Sequence, residues 1–90
     1  MINVQQTGHG DPMTFSVTIQ DGGETRHEVT LSRATYDRLC GDVADPERCI
    51  EAAFRFLLDR EPKEAILPRF DVEVIGRYFP EFERALGRYL

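Results

Sequence analysis

Two histidines and two cysteines are the side chains of this sequence best suited to binding a metal ion or attacking a substrate. Structural zinc sites use closely spaced ligand pairs such as Cys-x-x-Cys, and His9, His27, Cys40 and Cys49 form no such pair. A nucleophilic cysteine needs an accessible, electropositive setting, which the residues around neither cysteine provide. We therefore predict no metal site, no cofactor and no catalytic cysteine.

The same two cysteines could instead form a disulfide bond, but the sequence favours free thiols. The N-terminus has neither the charged region nor the apolar region of a secretory signal, and no stretch is apolar enough to span a membrane. Disulfides are rare in the cytosol, and Cys49 falls on the apolar side of a predicted helix. We therefore expect a cytoplasmic protein in which Cys40 and Cys49 are reduced and buried.

A second possible centre of chemistry is the segment G-H-G-D-P, in which the imidazole of His9 precedes the carboxylate of Asp11. Such a pair can transfer protons when the tertiary structure adds a pocket. With Arg26 or His27 nearby, the loop would serve a small enzyme or enzyme subunit. A glycine-rich turn carrying a solvated histidine explains the same residues, however. The sequence therefore favours a protein that is not an enzyme.

Aromatic residues are concentrated near the C-terminus, where four of the nine lie close together: Tyr78, Phe79, Phe82 and Tyr89. Phe82 and Tyr89 fall on the inward face of an amphipathic helical pattern. Tyr78 and Phe79 flank the bend expected at Pro80, and we predict that both are displayed outward. Exposed aromatic residues with arginines between them are typical of protein interfaces, so Tyr78 and Phe79 are the candidate interaction site.

The longest helical pattern covers residues 45–60 and is expected to organise the rest of the chain. Asp45 suits the N-cap, Pro46 suits the first helical position, and Pro62 should end the helix. The apolar positions cover more than half of the circumference, so we expect this helix to have neighbours on several sides. These positions are Cys49, Ile50, Ala53, Phe54, Phe56, Leu57 and Leu58.

Two strands are predicted before this helix. Apolar and polar residues alternate strictly in residues 14–20, D-G-G-E follows as a turn, and the alternation resumes in residues 27–31. This pattern predicts a β-hairpin. Ile2 and Val4 leave a third strand open, although the turn formers after them lead us to expect that residues 1–12 are flexible.

Further helices are indicated by capping residues. Ser32 is expected to cap a short helix that Gly41 closes in a left-handed conformation. A helical turn is expected between Pro62 and Pro68, and Asp71 is expected to cap a helix that runs to the bend at Pro80. A final amphipathic helix then runs to the C-terminus.

Strands that precede helices without βαβ alternation indicate an α+β fold. We predict a single domain over residues 1–90, with the N-terminal hairpin packed on a C-terminal bundle of three to four short helices. Eleven basic and sixteen acidic residues give a net charge of -5. This sign disfavours nucleic acids and anionic membranes as partners, so we expect a protein partner or a second copy of the chain.

Residues 54–83 contain the motifs F-L-L-D-R-E-P, I-L-P-R-F-D and Y-F-P-E-F-E. In these motifs the chain resembles a group of short bacterial proteins to which no activity is assigned. The resemblance implies a bacterial cytosolic origin and provides no functional residue to carry over. The hairpin followed by a capped helix is also similar to small antitoxin-like modules.

The hypothesis that follows is a small, non-enzymatic protein-interaction module of a bacterial cytosol. It would act through Tyr78 and Phe79 or through an exposed edge of the hairpin. A small enzyme that uses the loop from His9 to Asp11 is one alternative. An antitoxin-like regulator, which would need a basic face formed on dimerisation, is the other.

Overall fold

The computed structural model describes residues 1–90. Its four strands are β1 (Ile2–Gly8), β2 (Met13–Gln20), β3 (Glu24–Leu31) and β4 (Arg69–Asp71). Its four α-helices are α1 (Arg33–Leu39), α2 (Pro46–Leu58), α3 (Glu73–Tyr78) and α4 (Phe82–Leu86), with short 3₁₀ helices at Lys63–Ala65 and Gly87–Tyr89. None of the helices has the length and apolar character needed to cross a membrane.

The strands form one sheet in the order β1-β2-β3-β4, and the predicted hairpin is its centre. β2 and β3 pair antiparallel around a turn in which Gly22 and Gly23 have φ values of 68° and 149°, which side chains rarely allow. Residues 2–8 were expected to be flexible, but they form a strand that pairs antiparallel with β2. This is the third strand that the sequence indicated as an alternative. β4 runs parallel to β3 at the other edge.

One face of the sheet carries the core, and the α+β fold is as predicted. The inward residues of the hairpin are fully buried, namely Phe15, Val17, Ile19, Val29 and Leu31. The alternate residues of β2 and β3 are polar and partly or fully exposed. Because strand side chains alternate between faces, the helices can bury their apolar residues against only one side of this sheet.

Helix α2 lies at the centre of the core. Asp45 Oδ1 accepts a hydrogen bond from the Arg48 amide at 2.8 Å, which confirms the predicted N-cap. Phe54 and Leu57 are buried, as expected from the helical pattern. The helix packs against the strand β1 on one side and α4 on another, so its wide apolar surface is used.

Phe56 joins α2 to the C-terminal segment. Its ring lies 5.0 Å from that of Phe82, 5.9 Å from that of Phe79 and 6.0 Å from that of Tyr89, all in edge-on arrangements. Such arrangements are favourable because the positive edge of one ring meets the negative face of the other. The four aromatic residues therefore pack as one cluster, which we call the aromatic cluster.

Arg60 covers the exposed side of the aromatic cluster. Its guanidinium carbon lies 3.7 Å from the centre of the Phe56 ring, a cation–π contact. The same guanidinium pairs with Glu81 at 3.1 Å. The backbone amide of Glu81 and the Arg60 side chain hold the pKa of the Glu81 carboxyl below its ordinary value. The ion pair therefore persists at a lower pH than an isolated glutamate would allow.

Cys40 and Cys49, which we predicted to be free thiols, form a disulfide bond. Cys40 follows α1 and Cys49 lies in the N-terminal part of α2. The turn between the helices brings the two α-carbons to 6.1 Å, within the range of disulfide bonds, and both side chains are buried. Disulfides are typical of oxidising compartments, so the cytoplasmic location stays a prediction.

Several helix boundaries differ from the predictions. Gly41 does not adopt the predicted left-handed conformation. A glycine is favoured at this position for another reason, because the β-carbon of any other residue would lie 2.9 Å from the Asp37 α-carbon. The turn after Pro62 is limited to Lys63–Ala65, and the last helix ends at Leu86 and continues as a 3₁₀ helix. The segment between Pro62 and Pro68 supports only one turn of helix, because proline disfavours helical geometry in the residue before it and donates no backbone hydrogen bond.

Candidate functional site

An apolar groove of about 360 Å³ opens between the end of α2, the segment around Lys63–Ala65, β4 and α3. Nine of its ten lining residues are hydrophobic. The complete lining is Leu57, Glu61, Ala65, Ile66, Leu67, Phe70, Val74, Ile75, Tyr78 and Phe79. This is the largest change from the sequence analysis, which had identified only Tyr78 and Phe79 as candidate interaction residues.

The strand β4 holds one wall of the groove in place. Phe70 pairs with Val29 in the parallel ladder, and Thr30 Oγ1 donates a hydrogen bond to Asp71 Oδ1 at 2.6 Å. The other oxygen of Asp71 accepts from the Glu73 amide at 3.0 Å, at the start of α3. The prediction that Asp71 is the N-cap was wrong: Asp71 belongs to β4 and the N-cap of α3 is Val72, although the Asp71 carboxylate still bonds to the first amide of the helix.

His27 supports the rim of the groove from inside the core. The Nδ1–H group of this buried histidine donates to the Leu67 carbonyl at 2.8 Å, and Nε2 shares a hydrogen bond of 3.0 Å with Thr25 Oγ1. Its ring also packs 5.5 Å from that of Phe54. Both ring nitrogens are thus satisfied within the chain, so the observed contacts of His27 are structural.

The two predicted interaction residues, Tyr78 and Phe79, point in different directions. A residue before proline is driven out of helical geometry, and Phe79 accordingly has φ −130° and ψ 87°. This turns Phe79 inward, half-buried against Phe56, in contrast to the outward display that we expected. Tyr78, the last residue of α3, remains 68% exposed at the rim.

The rim of the groove has exposed hydrophobic side chains and one charged side chain. Leu67 is 44% exposed and stands with Tyr78 among the few large hydrophobic residues that the chain leaves open. Glu61 is the only charged lining residue and forms no salt bridge. A groove of this kind can bury an apolar group while attracting a positive charge beside it.

The loop from His9 to Asp11 has a different environment from the one that catalysis would require. Asp11 Oδ1 accepts from the Arg33 amide at 3.1 Å, and the Arg33 side chain donates to the His9 carbonyl at 2.5 Å. The loop therefore lies beside Arg33, whereas Arg26 pairs with Glu24 and His27 is buried. Neither His9 nor Asp11 lines any of the three main grooves, and no three acidic, histidine or cysteine side chains are grouped as metal ligands.

Sequence reasoning missed most of the groove because its walls come from four short elements. The motif I-L-P-R-F-D held a usable signal: Ile66, Leu67 and Phe70 are more apolar than a surface turn requires, and Pro68 between them argues against a continuous helix that would bury them on one face. Residues of this kind between prolines indicate either burial under a neighbour or exposure for a partner.

The chain was compared with models of protein families, with curated proteins and with solved structures, and none of them matches. Its function therefore has to be inferred from the groove itself. The groove offers apolar burial, one acidic group at its border and an exposed tyrosine.

Proposed function

We propose that the protein is a small, non-enzymatic interaction module that binds a partner protein in the apolar groove. The observation that carries this proposal is the position of Tyr78, an exposed aromatic side chain at the rim of a groove lined almost entirely by hydrophobic residues. A monomeric domain of this size gains stability by burying its large side chains. Open aromatic and aliphatic residues around one concavity are characteristic of interaction surfaces.

The chemistry of the groove indicates which partner segment would fit. Its volume lies at the lower end of the range for binding pockets, about 300–1,000 Å³, which accommodates a few apolar side chains. Glu61 has no partner within the chain, so a lysine or arginine next to the apolar anchor would complement it. An amphipathic helix with a basic flank combines these features and is a common occupant of such grooves.

All lining residues fall between positions 57 and 79, within the segment that resembles the short bacterial proteins. We propose that those proteins share the groove and that this chain acts in a bacterial cytosol.

Substituting Tyr78→Ser is expected to weaken partner binding by about 2 kcal/mol, or roughly thirtyfold in Kd, because aromatic anchors at interfaces carry much of the binding energy. Folding should be nearly unchanged, since the side chain is exposed. The measurement is affinity capture from an extract of the source cells, followed by calorimetric titration of the purified partner against parent and variant, with thermal melting of both.

Val43→Ser is the matched control, because Val43 has the same 68% exposure but lies in the connection between α1 and α2. Phe79→Ser should lower the stability of the fold as well as binding, since Phe79 packs on Phe56. Equal capture by the parent, Tyr78→Ser and Val43→Ser would show that the groove is not the binding site. A loss of folding in Tyr78→Ser would show that this tyrosine belongs to the core.

A further inference from the structure

Helix α1 is attached to the rest of the protein by few side chains. Of its seven residues only Thr35 is fully buried, and Tyr36 and Leu39 are partly buried. The C-terminal end of α1 is tied to α2 by the disulfide between Cys40 and Cys49. The Tyr36 hydroxyl adds one hydrogen bond of 2.6 Å to a carbonyl of the turn that follows. Because little apolar surface anchors α1, the covalent bond carries a large share of its attachment to α2.

Helix α1 is also linked to α3, which forms one wall of the apolar groove. The hydroxyl of Thr35 donates to Glu73 Oε1 at 3.1 Å, and a guanidinium nitrogen of Arg38 lies 3.7 Å from the same oxygen. Arg38 also pairs with Glu83 of α4 at 2.9 Å. Glu73 is the first residue of α3 and lies outside the groove, whereas its two successors and Tyr78 line it. The position of α1 therefore bears on the position of the groove wall.

The disulfide itself does not line the groove. Cys49 lies near the start of α2, and Leu57 is the first groove residue on that helix. The distance between positions 49 and 57 is about 12 Å along a helix axis, at 1.5 Å per residue. An effect of the bond on the groove must therefore pass through the protein, and the contacts of α1 with Glu73 offer a route for it.

The disulfide can be opened by thiol–disulfide exchange. Both cysteines are buried, so exchange follows local opening of the mostly exposed turn at residues 41–45. A thiolate of a dithiol reductant then attacks one sulfur, the bond between Cys40 and Cys49 breaks, and the other sulfur leaves as a thiolate that takes up a proton. The second thiol of the reductant loses its proton, attacks the mixed disulfide and releases the second cysteine. Two electrons thereby pass to the protein, and the reductant becomes a disulfide.

We propose that the disulfide between Cys40 and Cys49 is a redox switch of the apolar groove, and this proposal rests on the proposed function of that groove. In the oxidised chain, α1 holds α3 in place and the groove binds its partner. In the reduced chain, α1 is freed from α2, so the groove wall is held less firmly and a smaller fraction of molecules is ready to bind. Disulfides of cytosolic proteins are usually transient and either catalytic or redox-sensing. A switch therefore reconciles this bond with the cytosolic location proposed above.

The test compares the oxidised and reduced protein by NMR and by titration with the neutral apolar dye Nile red. The amides of Ile75 and Phe79 form backbone hydrogen bonds in and around α3, so their signals should shift on reduction. Kd of the dye should rise by about fivefold or more. The double variant Cys40→Ser/Cys49→Ser should behave as the reduced parent with and without reductant. Tyr78→Ser should weaken dye binding in both states, which places the dye in the groove.

Glu73→Ala tests the route, because it removes the contacts of α3 with Thr35 and Arg38 without altering the groove lining. The oxidised variant should already bind the dye about as weakly as the reduced parent, and reduction should change its Kd by less than about twofold. Glu51→Ala is the matched control, because the exposed ion pair of Glu51 is with Arg55 of the same helix. Its response to reduction should equal that of the parent.

The proposal is overturned if the signals of α3 and the dye affinity are the same in both redox states, or if Glu73→Ala responds as the parent does. It is also overturned if circular dichroism shows that the reduced chain is unfolded. These results would leave the proposed function standing, because capture of a partner by the oxidised parent does not depend on a switch. Equal capture by the parent and Tyr78→Ser would instead remove the proposed function, while a redox-dependent dye affinity would keep the coupling.

Discussion

Replacing Phe56 with alanine is expected to lower the free energy of unfolding by about 3–5 kcal/mol, the usual cost of removing a buried phenylalanine. Phe56 is completely buried and contacts three aromatic rings, and Arg60 lies over its face. The substitution leaves a cavity at the junction between α2 and the C-terminal segment. Small domains have about 5–15 kcal/mol of stability in total, so the variant would be close to unfolding.

Urea denaturation followed by circular dichroism measures this change through the midpoint and slope of the transition. Arg55→Ala is the neighbouring control: its exposed ion pair with Glu51 should make the loss less than about 1 kcal/mol. If Phe56→Ala and Arg55→Ala had the same midpoint, the aromatic cluster would not be part of the core.

Breaking the bond between Cys40 and Cys49 is expected to lower the free energy of unfolding by about 2–3 kcal/mol. The two cysteines are nine positions apart, and linking them restricts the unfolded chain by an amount that depends on this loop length. The measurement compares urea denaturation of the parent with and without a reductant. Intact mass, determined before and after reduction and alkylation, reports whether the bond is present.

Cys49→Ser cannot form the bond, so its stability should not respond to the reductant, which controls for other effects of the reagent. If the parent purified without reductant carries two alkylatable thiols and is equally stable in both conditions, the original expectation of free thiols was correct. The result also bears on location, because a stably oxidised protein would be unusual in a reducing cytosol.

The sequence by itself was sufficient for the elements with strong local patterns. The alternation around Phe15 and Val17 predicted β2, and the turn formers at Gly22 and Gly23 predicted its hairpin with β3. Asp45 and Pro46 marked the start of α2, as the structure confirms. These features depend on neighbours a few residues away, because strand alternation, turn geometry and helix capping are local effects.

The tertiary structure alone decided the features that join distant residues. The strand β4 forms because Phe70 and Asp71 pair with the free edge of β3. Its three residues are too few for an alternating pattern to be recognised in the sequence. The disulfide depends on how α1 packs against α2. The apolar groove needs walls from four elements, and their packing leaves Tyr78 exposed at its rim. In each case the deciding contact joins parts of the chain that no local pattern relates, so only the folded arrangement shows it.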